Sequence, residues 1–203
     1  MIAYLRDPQV IYARSFEMIR AEADFAGLPK DAEPIATRII HACGMPDITN
    51  DLRISESFVA TARDALRNGK PVLVDTEMVR HGITDKSLSL ICTLNNPAAR
   101  EAGLRLSTTR SAAAVELWRP HLHGAIAVIG NAPTALFALL EMIDAGGPCP
   151  AAIVGFPVGF VGAVESKDEL VTHPRGIPYA TLLGRRGGSA MAAAVINALM
   201  STT

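Results

Sequence analysis

The chain has 203 residues, 19 Lys+Arg against 20 Asp+Glu, and 49% hydrophobic residues of which few are aromatic. That length suits one domain over residues 1–203, and the apolar content excludes a disordered chain. The charge balance removes the sequence-wide basic field that nucleic acid or an anionic membrane would call for.

Arg6, Asp7 and Pro8 stand where a secretory signal would need an unbroken apolar stretch. Asp7-Pro8 instead reads as a helix start, a cap acceptor followed by a residue that needs no amide donor. The apolar pattern carries this helix to Gly27, with Pro29 as its stop. A second helix runs from about Pro34 to Gly44, and a third from Ser55 to Arg67. The pattern then changes to short apolar runs at 71–75, 90–94, 125–130, 151–155 and 178–183. Helical stretches follow at 109–118, 133–144, 163–171 and 188–200. Runs of about five apolar residues without alternation indicate strands buried on both faces, hence a parallel sheet between helices. The expected fold is an α/β three-layer flavodoxin-like domain, with a five-stranded mainly parallel sheet and extra N-terminal helices. The longest apolar run, 151–164, is broken by Gly155, Pro157, Gly159 and Gly162 and is too short to span a membrane. Three cysteines, Cys43, Cys92 and Cys149, without a CxxC pair, fit a reducing cytoplasm.

Ligands of open parallel sheets bind beyond the carboxyl ends of the strands. Those ends read Asp75-Thr76, GNAPT (130–134), GFPVGF (155–160) and GRRGGS (184–189). Glycines there let backbone approach a ligand, and free amides can bind anions, although tight turns alone would also use them. Neither GxGxxG nor GxxxxGK[ST] is present, which weighs against dinucleotide and P-loop sites. His121 and His123 lack the ligand spacing of a metal site, and His81 and His173 read as surface residues. RIIHACG differs, because it sets Arg38 and His41 three residues apart on one helix surface. An imidazole exchanges protons near neutral pH and an adjacent guanidinium attracts anions, although a histidine near a helix C-terminus is also a common cap. Arg14-Ser15 forms a similar polar pair in the first helix, with no GxSxG setting for a serine nucleophile. Arg110 opens an Ala-rich helix, where a cation is locally unfavourable unless it faces a ligand or partner. Arg185 and Arg186 add positive charge to the last glycine loop.

Together the stretches IYARSF (11–16), RIIHACG (38–44), TRSAAA (109–114), IGNAPTALF (129–137), GFPVGFVGAVESK (155–167) and GRRGGSAMAAA (184–194) resemble the precorrin-8X methylmutase family of cobalamin biosynthesis. The resemblance covers the whole chain. It implies an isomerase that moves a methyl group from carbon 11 to carbon 12 of precorrin-8X, giving hydrogenobyrinate, with no metal or organic cofactor. It implies a homodimer with the site near the subunit interface, and a small-molecule corrinoid as partner. The family's catalytic histidine matches His41, and its substrate contacts match Ser15 and Arg38. Loop placement adds Arg110, Asn131, Thr134, Pro157, Val158, Gly159 and Phe160 as expected contacts. The carboxylate arms would meet arginines and glycine-loop amides, and the apolar residues would lie against the ring. DKSLSL (85–90) and STTRS (107–111) depart from the family pattern without touching His41. Competing readings are a non-catalytic corrinoid carrier that hands product to the next enzyme, the cobalt-precorrin-8 methylmutase of the early-cobalt pathway, and a flavodoxin-like phosphate binder.

Overall fold

The computed structural model describes residue 2 and residues 4–201. Its first helix, α1, spans Pro8–Glu22, and Asp7 caps it as expected by accepting from the Gln9 and Val10 amides at 2.8 and 3.3 Å. It ends five residues earlier than the apolar pattern predicts. Ala23 turns to extended geometry and the Asp24 side chain accepts from the Ala26 amide, a local bond that competes with the helix. Helix α2 (Glu33–Cys43) ends on Gly44, whose φ of 70° suits the left-handed cap position.

The sheet has six strands where the sequence reading counts five. They are β1 (Leu52–Ile54), β2 (Val72–Val74), β3 (Leu90–Cys92), β4 (Ile126–Ile129), β5 (Ala152–Gly155) and β6 (Tyr179–Leu182). The added strand is β1, three residues long, with exposed Arg53 between two buried neighbours. Such an edge strand leaves no apolar run to detect. Strand order is β1-β6-β5-β4-β2-β3. Every pairing is parallel except β1 with β6, so the sheet is mixed. Between the strands run α3 (Phe58–Arg67), α4 (Glu77–Gly82), α5 (Pro97–Arg105), α6 (Arg110–Glu116), α7 (Pro133–Asp144) and α8 (Ala163–Thr172), and α9 (Ser189–Met200) closes the chain. The expected helices at 109–118, 133–144, 163–171 and 188–200 correspond to α6, α7, α8 and α9.

Successive strand residues feed opposite faces. Val72, Val74, Ile126, Val128, Ala152 and Val154 join one core with residues of α2, α3 and α9. Leu73, Ala127, Ile129 and Ile153 join a second with α6, α7 and Trp118. Burial on both sides explains why these strands read as unbroken apolar runs. The alanines of α9 allow close helix approach: a Cβ on Gly82 of α4 would stand 2.8 Å from the Ala193 Cβ. Among the described residues no helix is long and apolar enough to cross a membrane.

Two consequences position the site. The glycine loops after β4, β5 and β6 share the carboxyl rim of the parallel strands. Because β1 runs the other way, with Leu52 opposite Leu182, the chain enters β1 at that same rim. The 3-10 turn Pro46–Asn50, which leads from α2 into β1, therefore brings the end of the His41 helix to the glycine loops.

Candidate active site

Helices α1 and α2 bring Ser15 and His41 together, with 2.9 Å between Ser15 Oγ and His41 Nδ1. If Nδ1 accepts the hydroxyl proton, the ring is neutral and its Nε2–H is a hydrogen-bond donor; if Nδ1 donates, Nε2 is a base in the neutral ring and an acid in the imidazolium, which carries a hydrogen on both nitrogens. In both states Nε2 is the nitrogen that Ser15 leaves unengaged. The ring is held by aromatic neighbours, with the Tyr12 and Phe16 centroids 5.1 and 5.4 Å away, the second edge-on. Arg38, one helical turn before His41, sets its guanidinium carbon 5.9 Å from the Tyr12 ring. His41 and Ser15 line an open cleft of about 380 Å³ with Leu5, Arg14, Met18 and Pro46. Both side chains are half-buried, so solvent or a ligand reaches them.

The rim is built differently. Asp75, at the end of β2, is buried and accepts from the Gly130 amide at 2.8 Å, Asn131 at 2.9 Å and Ala132 at 3.0 Å. Burial pushes its carboxyl above the usual range, and these amides pull against that shift. The Gly188 amide donates to Phe156 O at 2.8 Å, Gly159 to Arg185 O at 3.2 Å and Val158 to Asn131 O at 3.2 Å. These six amides of the glycine loops are engaged within the fold itself. Gly187 has no room for a side chain, since a Cβ would stand 2.5 Å from Phe156 O and 2.6 Å from Pro157 O. Lys167, wholly buried, donates from Nζ to Arg186 O at 2.7 Å. Desolvation lowers its pKa to about 8, against the pull of Asp168 and Asp51. Arg186 in turn bridges Asp47 at 2.6 Å and Asp51 at 2.8 Å, tying the last glycine loop to the turn after α2.

The predicted residues therefore fall into two groups. Ser15, Arg38 and His41 cluster on α1 and α2. Arg110, Asn131 and Thr134 are exposed at the rim, with Thr134 bonded through its hydroxyl to Thr109 at 2.7 Å. Phe160 is 80% exposed and Val158 is exposed, with the Arg185 guanidinium 5.0 Å from the Phe160 centroid. Gly159, in between, is half-buried, and Pro157 is buried beneath the Gly187 loop, so its ring is turned to the protein interior. None of the rim residues lines the His41 cleft. Sequence reasoning places Asp75 at the rim but gives it no role, although a carboxylate ending an apolar strand before a glycine loop is a readable sign. It also missed the aromatic setting of His41, which Tyr12 and Phe16 supply from the same IYARSF stretch as Ser15.

The family described as CbiC, precorrin-8X methylmutase, matches residues 10–202. The chain is 56% identical over 203 residues to precorrin-8X methylmutase of Pseudomonas aeruginosa, covering 98% of each chain. It is 37% identical over 195 residues to cobalt-precorrin-8 methylmutase of Methanothermobacter thermautotrophicus, covering 94% of this chain and 91% of that one. A solved precorrin-8X methyl mutase structure from Thermus thermophilus superposes with a TM-score of 0.84 at 33% identity, covering 94% of both chains. A family match over nearly the whole length, joined to a histidine cleft beside a sheet rim, places this chain in the precorrin-8X methylmutase family.

Proposed function

We propose that this chain is the isomerase that converts precorrin-8X to hydrogenobyrinate by moving a methyl group from ring carbon 11 to carbon 12, with His41 as acid and base. The observation that carries the reading is the Ser15–His41 hydrogen bond in an open cleft, on a chain 56% identical to a protein of that name. A sigmatropic methyl shift uses no nucleophile; it is eased when the conjugated ring becomes electron-poor. His41 gives the ring one proton, the methyl group migrates, and the imidazole takes a proton back, so atoms and charge balance over the cycle. Such positioned acid catalysis is worth about 10²–10⁴-fold. Ser15 fixes the imidazole, Arg38 meets a carboxylate arm, and Arg110, Asn131, Thr134, Val158, Gly159 and Phe160 meet the rest of the macrocycle from the rim. Pro157 supports that loop from beneath.

The metal-free ring is favoured over the cobalt-bearing one because identity is 56% to a relative named for the former and 37% to one named for the latter. A homodimer accounts for the separation of the two groups, since a second copy brings its rim to the His41 cleft. Exposed Leu5, Val10, Ile11 and Met18 on and before α1 provide apolar surface for that contact. Taken alone, the parallel strands β2–β6 follow the 2-1-3-4-5 order of flavodoxin-like sheets, which supports a single domain of that kind with β1 added at its edge. The unpaired thiols of Cys43, Cys92 and Cys149 suit a reducing cytoplasm.

Incubation of the purified protein with precorrin-8X, followed by visible spectroscopy, tests the reading. Conversion to hydrogenobyrinate is expected. Product binding without conversion would instead favour a carrier that passes the corrinoid to the next enzyme, and an unchanged spectrum would remove the corrinoid assignment.

A further inference from the structure

A second, smaller pocket of about 210 Å³ is lined by Phe16, Arg20, Pro34, Thr37, Arg38 and Ser201 among others. It begins one side chain from the catalytic ring, because Phe16 also lies edge-on to His41. Two arginines, Arg20 and Arg38, line it. The acid beside them is Glu33, whose Oε1 is 3.4 Å from Arg20 Nε, and no described ion pair engages Arg38. The wall thus keeps a net positive charge. Thr37 is 2% exposed, and its Oγ1 is buried without a hydrogen-bond partner among the described residues. A helical threonine ordinarily bonds back to the carbonyl four residues earlier, and buried hydroxyls seldom stay unpaired.

We propose that this pocket is a carboxylate subsite, taking one acid arm of the macrocycle whose ring lies at His41, with Arg20 and Arg38 clamping the anion and Thr37 donating its hydroxyl. The proposal rests on the reading of the ligand as a carboxylate-rich corrinoid. It adds Arg20 and Thr37 to the contact set. The volume lies below that of pockets that enclose a whole drug-sized ligand, so it suits an arm and not the ring. The planar guanidinium fork matches a carboxylate in two-point contact, and a hydroxyl donor completes the coordination of the anion.

Two full-length variants and one ligand-independent probe test the proposal. Arg20→Gln is expected to weaken hydrogenobyrinate binding about tenfold in an absorbance titration at fixed ionic strength. Thr37→Val is expected to weaken it about threefold while thermal stability stays level or rises, because no internal hydrogen bond is lost. Acetate titrated into the ¹⁵N-arginine-labelled protein should move the Nε–H signals of Arg20 and Arg38 and leave that of Arg53 in place. Unchanged product affinity in both variants, within a protein that turns over precorrin-8X, would overturn the proposal, as would acetate leaving the Arg20 and Arg38 signals unmoved. An acetate response in a protein that ignores corrinoids would uphold an anion pocket while removing the enzyme reading.

Discussion

The His41 face and the glycine rim lie at one end of the same sheet, yet they are held by opposite means. Among the described residues His41 has one side-chain hydrogen bond, with Ser15, and two aromatic neighbours, one of them a tyrosine that is itself exposed. The rim is locked by a buried carboxylate that occupies three amides, a buried lysine on a carbonyl, and backbone contacts that admit no side chain at Gly187. Chemistry that must move a proton needs an imidazole open to its ligand. Loops rich in glycine, by contrast, hold a shape only when their polar groups are satisfied internally. Substitutions on the first face should therefore cost turnover, and those on the second should cost stability.

The sharpest separation comes from His41→Asn, for which turnover is expected to fall by about 10²–10⁴-fold. Its unfolding free energy should stay within about 1 kcal/mol of the unaltered protein. Denaturant titration beside a single-turnover assay reads both; a stability loss as large as the activity loss would erase the contrast. On the rim, Asp75→Ala leaves three amides, two of them buried, without an acceptor and is expected to cost about 3 kcal/mol, measured in the same titration. Gly187→Ala forces a methyl group against two carbonyl oxygens and should cost about 1–3 kcal/mol, with turnover per folded molecule reduced less than tenfold. Phe160→Ala removes a largely exposed ring, so stability should change by no more than about 0.5 kcal/mol. Its effect should appear in product affinity, and an unchanged dissociation constant would take Phe160 out of the binding surface.

A further effect is a slope. Burial lowers Lys167 to about 8 from an ordinary value of 10.5, so between those pH values the unfolded chain binds more protons than the folded one. Lys167 therefore adds stability as pH rises from about 8 toward 10.5 and withholds it below that window. Thermal melts of Lys167→Met and the unaltered protein across this range should diverge in favour of the unaltered protein as pH increases. Parallel curves would mean that the ammonium is solvated, and the rim less tightly closed than its hydrogen bonds indicate.

How far each region can be read from the residues differs for the same reasons. Strands β2, β4, β5 and β6 declare themselves, since burial on both faces demands continuous apolar runs; β3, a half-buried edge strand, still carries Leu90, Ile91 and Cys92, and the expected 133–144 helix coincides with α7. Strand β1 does not, because two apolar residues around Arg53 carry too little pattern. The Ser15–His41 pairing joins residues 26 positions apart, and nothing in either segment's periodicity encodes that contact; the family resemblance names both residues but not the bond between them. At the rim the glycines were legible but their use was not. Free amides and occupied amides have the same sequence, and only the position of the Asp75 carboxylate tells them apart.

The reversed edge strand has one more effect. Gly44 to Asp51 is all the chain available to run from the end of the histidine helix to an edge strand that starts at the rim. Those eight residues behave as a spacer of fixed length, anchored at its far end by Arg186. Insertions between α4 and β3 only lengthen a surface loop. Even a single added residue after Gly44 would change how far the imidazole stands from the glycine loops, so this spacer is where the architecture tolerates change least.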